Sequence, residues 1–388
     1  MKILLIGEYS GAFYNLANIL KKKGHDVFWI HDGDNYKKIS GADYSIEYKY
    51  IKSNFYIINL ILKIYYFILN FLGLKGFLQI RKYNKFIESL KNYEVVQLVN
   101  TKPLSDFGAY ANLYFIKKLV ANNNKVYLSA LGDDYVWVKN CLEKKIPYSM
   151  FDRMNFLNFH KFSWSLLYVY GFGAKTLNDY IIKNIKGIIP GLYDYLYAYN
   201  AQKIKCEDLI PLIVKVDKGA YSMDFNSTPI KIFHGWQENK ELRKGNDIFH
   251  EAILRLKNKY SDLIDYEVIT NLPYDEYIKK YKDCHIFIDQ CYSLDRGMNG
   301  LLGMAAGKIV LSGFDPSFIK YLGLDNGMEV LINALPDQDF IYNTLESLIL
   351  DPNKMKAISI ESLKFINKYH NEELIYQKFI NIWSLEVC

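Results

Sequence analysis

Strand-like and helix-like segments alternate along this chain, and the alternation starts twice. KILLIG (2–7) is a short apolar run closed by glycine, the pattern of a strand buried on both faces. FYNLANILKKKG (13–24) follows with helical spacing, a basic last turn and a terminating glycine. Further strand patterns fall at DVFWI (26–30), VVQLV (95–99), KVYLSA (125–130) and, more weakly, GIIPG (187–191). Helical stretches such as DFGAYANLYFIKKLV (106–120) lie between them. After the irregular stretch PLIVKVDKGAYSMDFNSTP (211–229) the series begins again. It runs through IKIFHG (230–235), the helix NDIFHEAILRLKNKY (246–260), YEVIT (266–270), HIFID (285–289), KIVLS (308–312) and EVLIN (329–333), and ends in two helices near 337–350 and 353–369. Alternation of this kind builds parallel sheets with helices on both faces. The expectation is an α/β protein of two tandem doubly wound, Rossmann-like domains with a ligand cleft between them. The first domain spans 1–207 and the second 208–371, and a terminal helix at 372–388 is placed to return to the first.

A chain of 388 residues exceeds what one hydrophobic core usually holds, which agrees with two domains. Charge divides along the same line. Residues 1–200 carry 26 lysines and arginines against 15 aspartates and glutamates; residues 201–388 carry 22 against 27. A basic first half attracts phosphates or anionic lipid. The five cysteines show no C-x-x-C spacing and the seven histidines no metal-binding pattern, so neither a disulfide framework nor a zinc site is expected. MKILLIGEYSG is too short an apolar start for a signal peptide, and a cytoplasmic protein is expected.

The stretch RGMNGLLGMAAGKIVLSG (296–313) joins two of the second-half strands through a helix that begins near Met298. Gly300, Gly303 and Gly307 share one face of that helix. Such a face suits close packing on the sheet or close approach to a ligand, and the spacing does not decide between them. The helix N-terminus falls at the carboxyl edge of the sheet, where exposed amides favour an anion. Arg243 and Lys244 precede another helix on the same edge. Together these features point to a nucleotide-diphosphate pocket. His234 and Gly235 end the adjoining strand, and Trp236 is available to stack on a base. In the first half, Gly11 in GEYSGAF allows the backbone to approach a donor phosphate, although the segment lacks the dinucleotide fingerprint G-x-G-x-x-G. Asp133 and Asp134 follow the strand KVYLSA and are candidates to orient or deprotonate an acceptor hydroxyl; a turn or helix cap explains them equally well. Asp32-Gly33-Asp34 mimics a metal-binding D-x-D, but a polar loop is the better interpretation.

The layout resembles the GT-B-fold glycosyltransferases of the group-one type over nearly the whole chain. LLGMAAGKIVLSG (301–313) is similar to that family's helix-turn-strand signature, and RKG (243–245) to its lysine–glycine pair, which contacts the donor phosphates. SALGDDYVW (129–137) and GIIPGLYDYLYAYN (187–200) resemble segments of bacterial polysaccharide-assembly members. The resemblance implies transfer of a sugar from a nucleotide-diphosphate sugar to a glycan or lipid-linked acceptor, retaining, with no metal or other cofactor and no nucleic-acid partner. For such a transfer, Lys244, Arg243 and the amides at Met298 and Asn299 are the candidates to stabilise charge on the leaving diphosphate, with Gly297 also expected in the donor site. Two glutamates of the family pattern are replaced by Leu294 and Leu302. Asp295, with Asp289 and Asn299, is the polar substitute nearby. A non-catalytic GT-B-like binding protein is the alternative.

FYIINLILKIYYFILNFLGL (55–74) is apolar except for Asn59, Lys63, Tyr66 and Asn70, which form one stripe, and basic residues flank it. Basic flanks and a polar stripe suit a helix lying in a membrane interface, so peripheral contact with the inner face of the cytoplasmic membrane is expected through 55–85. A buried domain helix fits the segment nearly as well.

Overall fold

A computed structural model describes residues 1–32, 41–236, 241–270, 280–324 and 329–385. The chain forms two compact units: Met1–Lys145 with Phe162–Ile213 and Ile375–Cys388, and Ile146–Lys161 with Val214–Leu374.

The first unit is built on a six-stranded parallel sheet. Its strands are β1 (Lys2–Ile6), β2 (Asp26–His31), β3 (Tyr44–Ser45), β4 (Val95–Leu98), β5 (Val126–Ala130) and β6 (Gly187–Pro190), in the order β3-β2-β1-β4-β5-β6. The central strands are buried along their length, which is why they appear in sequence as unbroken apolar runs. Strand order reverses between β1 and β4, paired from Ile3↔Val95 to Ile6↔Leu98. Helix α1 (Ala12–Lys22) follows β1, and α2 (Tyr56–Phe71) lies between β3 and β4. Trp383, in the last helix, is fully buried and its Nε1 donates to Gln97 Oε1 at 3.0 Å.

The second unit holds a five-stranded parallel sheet of β7 (Ile230–Gly235), β8 (Ile264–Ile269), β9 (Ile286–Ile288), β10 (Ile309–Ser312) and β11 (Ile332–Asn333), ordered β11-β10-β9-β7-β8. The reversal here falls between β7 and β9, paired from Ile232↔Ile286 to His234↔Ile288. Two doubly wound parallel sheets are the architecture expected from sequence. Residues 146–161 lie inside the first half of the sequence but pack with the second unit. Tyr148 donates to Asp315 at 2.9 Å, Arg153 pairs with Asp247 at 2.6 Å and Lys161 with Glu241 at 2.5 Å.

Candidate functional site

In open parallel sheets ligands bind beyond the carboxyl ends of the strands where strand order reverses. In the second unit that point lies between the ends of β7 and β9. The chain leaves β7 through Gly235 and Trp236; residues 237–240, part of the expected loop, lie outside the described residues. A short helical turn, Glu241–Lys244, brings Arg243 and Lys244 back to the edge. Lys244 Nζ lies 2.8 Å from Asp289 Oδ1, immediately beyond β9. The second oxygen of Asp289 accepts from Ser312 Oγ at 2.8 Å, and only 3 % of the residue is exposed. Gly245 holds this turn in place. Its φ is +75°, and a Cβ there would stand 2.2 Å from Cys291 Sγ, so only glycine lets the turn pack onto the loop after β9.

Helix Met298–Ala305 starts at this edge with Gly297 as its N-cap. Its first intrahelical acceptor, Gly297 O, takes the amide of Leu301. The amides of Met298 and Asn299 have no acceptor among the described residues, as the first turn of a helix requires. Among the described residues nothing stands within 4 Å of where a Gly297 Cβ would be, and Asn299 is exposed. The three aligned glycines face the protein instead. A Cβ on Gly300 would lie 3.0 Å from Asp289 Oδ2, one on Gly303 2.8 Å from Val310 Cγ2, and one on Gly307 2.4 Å from Ala220 O. Close packing is therefore their function, whereas Gly297 packs against nothing among the described residues.

Two expected ligand contacts of this unit are corrected. His234 is fully buried; its Nδ1 meets Tyr266 Oη at 2.9 Å and its Nε2 meets Asn246 Nδ2 at 3.0 Å. Burial holds its pKa down to about 3, so it is a neutral link between β7 and the helix Asn246–Lys259. Asp295 is buried and accepts from Arg296 Nη1 at 2.8 Å and from the Arg296 amide at 2.7 Å. Arg296 is buried in turn, its guanidinium 4.5 Å from the Phe365 ring centre and 5.2 Å from those of Phe314 and Phe318. Asp295 thus fixes the buried arginine that precedes Gly297. Trp236 stays half-exposed, 5.5 Å from the His250 ring. Leu294 is fully buried, whereas Leu302 is 45 % exposed.

In the first unit the reversal lies between β1 and β4. The Gly11 amide, expected to meet a donor phosphate, donates to Glu8 Oε1 at 2.7 Å, and the Tyr14 amide donates to Glu8 Oε2 at 2.8 Å. A carboxylate of the chain already caps α1, so Gly11 offers open space rather than a donor. Asp134 is corrected as well. It is fully buried, accepts from the Trp137 amide at 2.7 Å and from Tyr199 Oη at 2.8 Å, and caps helix Tyr135–Leu142. Burial pushes its pKa up to about 6. Asp133 accepts from Ser165 Oγ at 2.5 Å and keeps 7 % of its surface exposed.

Sequence reasoning missed a buried charged group on this edge. Asp32, beyond β2, accepts from the Asp106 amide at 2.8 Å and Ser105 Oγ at 3.0 Å; Gly33 and Asp34 lie outside the described residues. Lys75 donates to Tyr50 Oη at 2.6 Å and lies 3.4 Å from Asp106 Oδ1. Lys102, beyond β4, is buried with its ammonium 4.9 Å over the Tyr168 ring. Burial raises the Asp32 pKa to about 6, and burial followed by the neighbouring Lys75 lowers that of Lys102 to about 8. Lys75 and Lys102 lie 43 and 70 positions after Asp32, and the three carry no shared motif.

No family model and no curated protein matches the chain. Solved structures match over its whole length. Anabaena Alr3699/HepE in complex with UDP and glucose aligns with a TM-score of 0.58 at 11 % identity, covering 99 % of this chain and 100 % of that one. Sucrose-phosphate synthase from Thermosynechococcus elongatus aligns at 0.60 and 12 % identity, covering 99 % and 98 %. The fold is GT-B. The lipopolysaccharide outer core galactosyltransferase WaaB in its apo form is similar too, at 0.52 and 10 % identity over 98 % and 99 %. At these identities the likeness is one of fold, and in GT-B terms the second unit is the one whose edge carries the open helix start.

Proposed function

We propose that this GT-B protein is a glycosyltransferase that moves a sugar from a nucleotide-diphosphate donor to a glycan or lipid-linked acceptor in bacterial surface polysaccharide assembly. The chief support is the group at the β7/β9 reversal: the amides of Met298 and Asn299, without an acceptor among the described residues, on the same sheet edge as the Arg243–Lys244 turn. Breaking the bond from the anomeric carbon to the diphosphate builds negative charge on the leaving oxygens. Fixed amides and cations stabilise that charge without reorganising. Lys244 enters this role already fixed by Asp289, so its charge is partly offset and its position is set before the donor arrives. Trp236 provides a flat half-exposed face for the base. Retention and independence from metal are part of the proposal through the family resemblance alone. On the first unit, Asp133 is the remaining candidate to orient the acceptor hydroxyl.

A thermal-shift series with UDP, GDP, dTDP and CMP tests this. One nucleoside diphosphate raises the melting temperature, and the rise disappears in Trp236→Ala and Arg243→Ala. One observation favours a second interpretation, a non-catalytic GT-B-like binding protein. Leu302, aligned with a donor-site glutamate of the family pattern, is exposed and has no polar atom to hold a ribose. Absence of any nucleotide response would select it.

A further inference from the structure

We infer that the outer face of α2, together with the exposed aromatic residues at 164–172, inserts in plane into an anionic lipid bilayer. The sequence pattern suggests a helix with its polar stripe turned to water. The structure has three of its four members, Asn59, Tyr66 and Asn70, turned in, while Lys63 is exposed. Asn59 Nδ2 donates to Ser53 O at 2.6 Å and Asn59 Oδ1 accepts the Ser53 amide at 3.0 Å. Tyr66 Oη accepts the Ile51 amide at 2.7 Å, and Asn70 is the one buried residue of the helix. The side turned out is apolar: Phe55, Ile57, Ile61, Ile64, Phe67 and Ile68 are between 42 and 70 % exposed. A contiguous apolar surface of this kind marks a contact with something other than water. It continues onto the next element in space. The Phe172 amide donates to Phe71 O at 2.7 Å, and the two rings meet edge to face at 5.5 Å. Trp164, Tyr170 and Phe172 are themselves exposed, the residue types that settle at a lipid headgroup boundary.

Charge decides what covers this face. Between Glu47 and Glu88 the chain has no aspartate or glutamate. Lys49, Lys52, Lys63, Arg81, Lys82 and Lys85 are all exposed, and none pairs with a carboxylate of a described residue. A second copy seated symmetrically on this face would oppose the same cations to themselves. An anionic leaflet satisfies both the apolar face and the exposed cations that flank it in sequence. The 16 residues of α2 are about 24 Å long, short of the roughly 30 Å needed to cross. Among the described residues no helix is long and apolar enough to span a membrane.

The test is co-sedimentation of the full chain with phosphatidylglycerol vesicles and with phosphatidylcholine vesicles. It uses no sugar nucleotide, so its outcome is independent of the proposed activity. Binding is expected to phosphatidylglycerol, weaker to phosphatidylcholine and weakened by salt. Ile57→Ser, Ile61→Ser and Ile64→Ser each lower it about tenfold, and Arg81→Gln and Lys82→Gln about fivefold per charge. Melting temperatures in vesicle-free buffer stay unchanged, because these side chains are exposed. Three results would overturn the inference: no binding to phosphatidylglycerol, wild-type binding by the serine variants, or a dimer in buffer that the serine variants convert to monomer.

Discussion

Lys244 sits where a phosphate contact and a structural ion pair are easily confused, and a double-mutant cycle separates them. Lys244→Ala leaves Asp289 nearly fully buried with Ser312 Oγ as its remaining side-chain partner. Removing one member of a buried pair typically costs about 3–5 kcal/mol. The lysine side chain is 25 % exposed, so water reaches the vacated position, and about 2 kcal/mol is the better expectation. For a unit of this size that lowers the melting temperature by about 4–8 °C. Asp289→Asn alone costs less, because an unpaired lysine at the surface turns to solvent. In the double variant the buried charge is gone, and about 1 kcal/mol or more of the loss returns. Thermal and urea unfolding of the four proteins measure the coupling. Strict additivity of the two substitutions would refute the assignment of Lys244 as the partner of Asp289. The same proteins also report on the donor. If the double variant regains stability but not its response to the nucleotide that stabilises the wild type, Lys244 touches the phosphate. If the response returns, Lys244 acts only by holding Asp289.

Three further outcomes follow from the geometry. Asp134→Ala removes a helix cap and the partner of the buried Tyr199 hydroxyl, so about 2–4 kcal/mol of stability is lost in urea unfolding, whereas Asp134→Asn keeps an acceptor and loses less than half of that. Asp32 has its folded pKa raised from 3.8 to about 6, so its protonated form is favoured by folding and its contribution is fully present below pH 3.8 and lost as pH rises through 6; Asp32→Asn should therefore stabilise the protein by about 1–3 kcal/mol at pH 7, with the gain shrinking toward pH 4.5 in a pH series of melting temperatures. Gly303→Ala gains about 1 kcal/mol of helix propensity but drives a methyl to 2.8 Å from Val310 Cγ2, for a net loss of about 1 kcal/mol, while Gly297→Ala, with nothing within 4 Å, leaves the melting temperature within a degree or two.

The central parallel strands were legible because they are buried on both faces and so are written as near-continuous apolar runs, from KILLI at β1 to IVLS at β10, whereas the edge strands β3 and β8 are partly exposed. Residues 146–161 left no such trace. They join the second unit through single polar bridges such as Tyr148–Asp315 and Arg153–Asp247, which have no period. At the candidate site the sequence supplied the cations but not their partners. Lys244 and Asp289 are 45 positions apart, and their meeting depends on β7 and β9 being neighbours, which is a property of topology. Gly11 drew notice because glycine is the signal for close approach; the carboxylate that occupies its amide, Glu8, is an ordinary residue three positions earlier.

Helix α2 isolates the physical reason for such misses. Spacing put Asn59, Lys63, Tyr66 and Asn70 on one stripe; in the structure Asn59, Tyr66 and Asn70 turn toward the protein and Lys63 is exposed. Periodicity fixes the phase of a pattern but not its sign. For most helices the sign comes free, because water is on one side and a core on the other, and polar residues turn to the water. Here three inward polar side chains find backbone partners or burial in the first unit, and the apolar majority is left outside. An apolar outer face of this size is unfavourable in water and is relieved by less polar surroundings. The orientation of α2 is thus the observation on which the inferred lipid contact rests, and the six exposed cations between positions 49 and 85, none paired with a carboxylate among the described residues, are the reason an anionic surface is inferred.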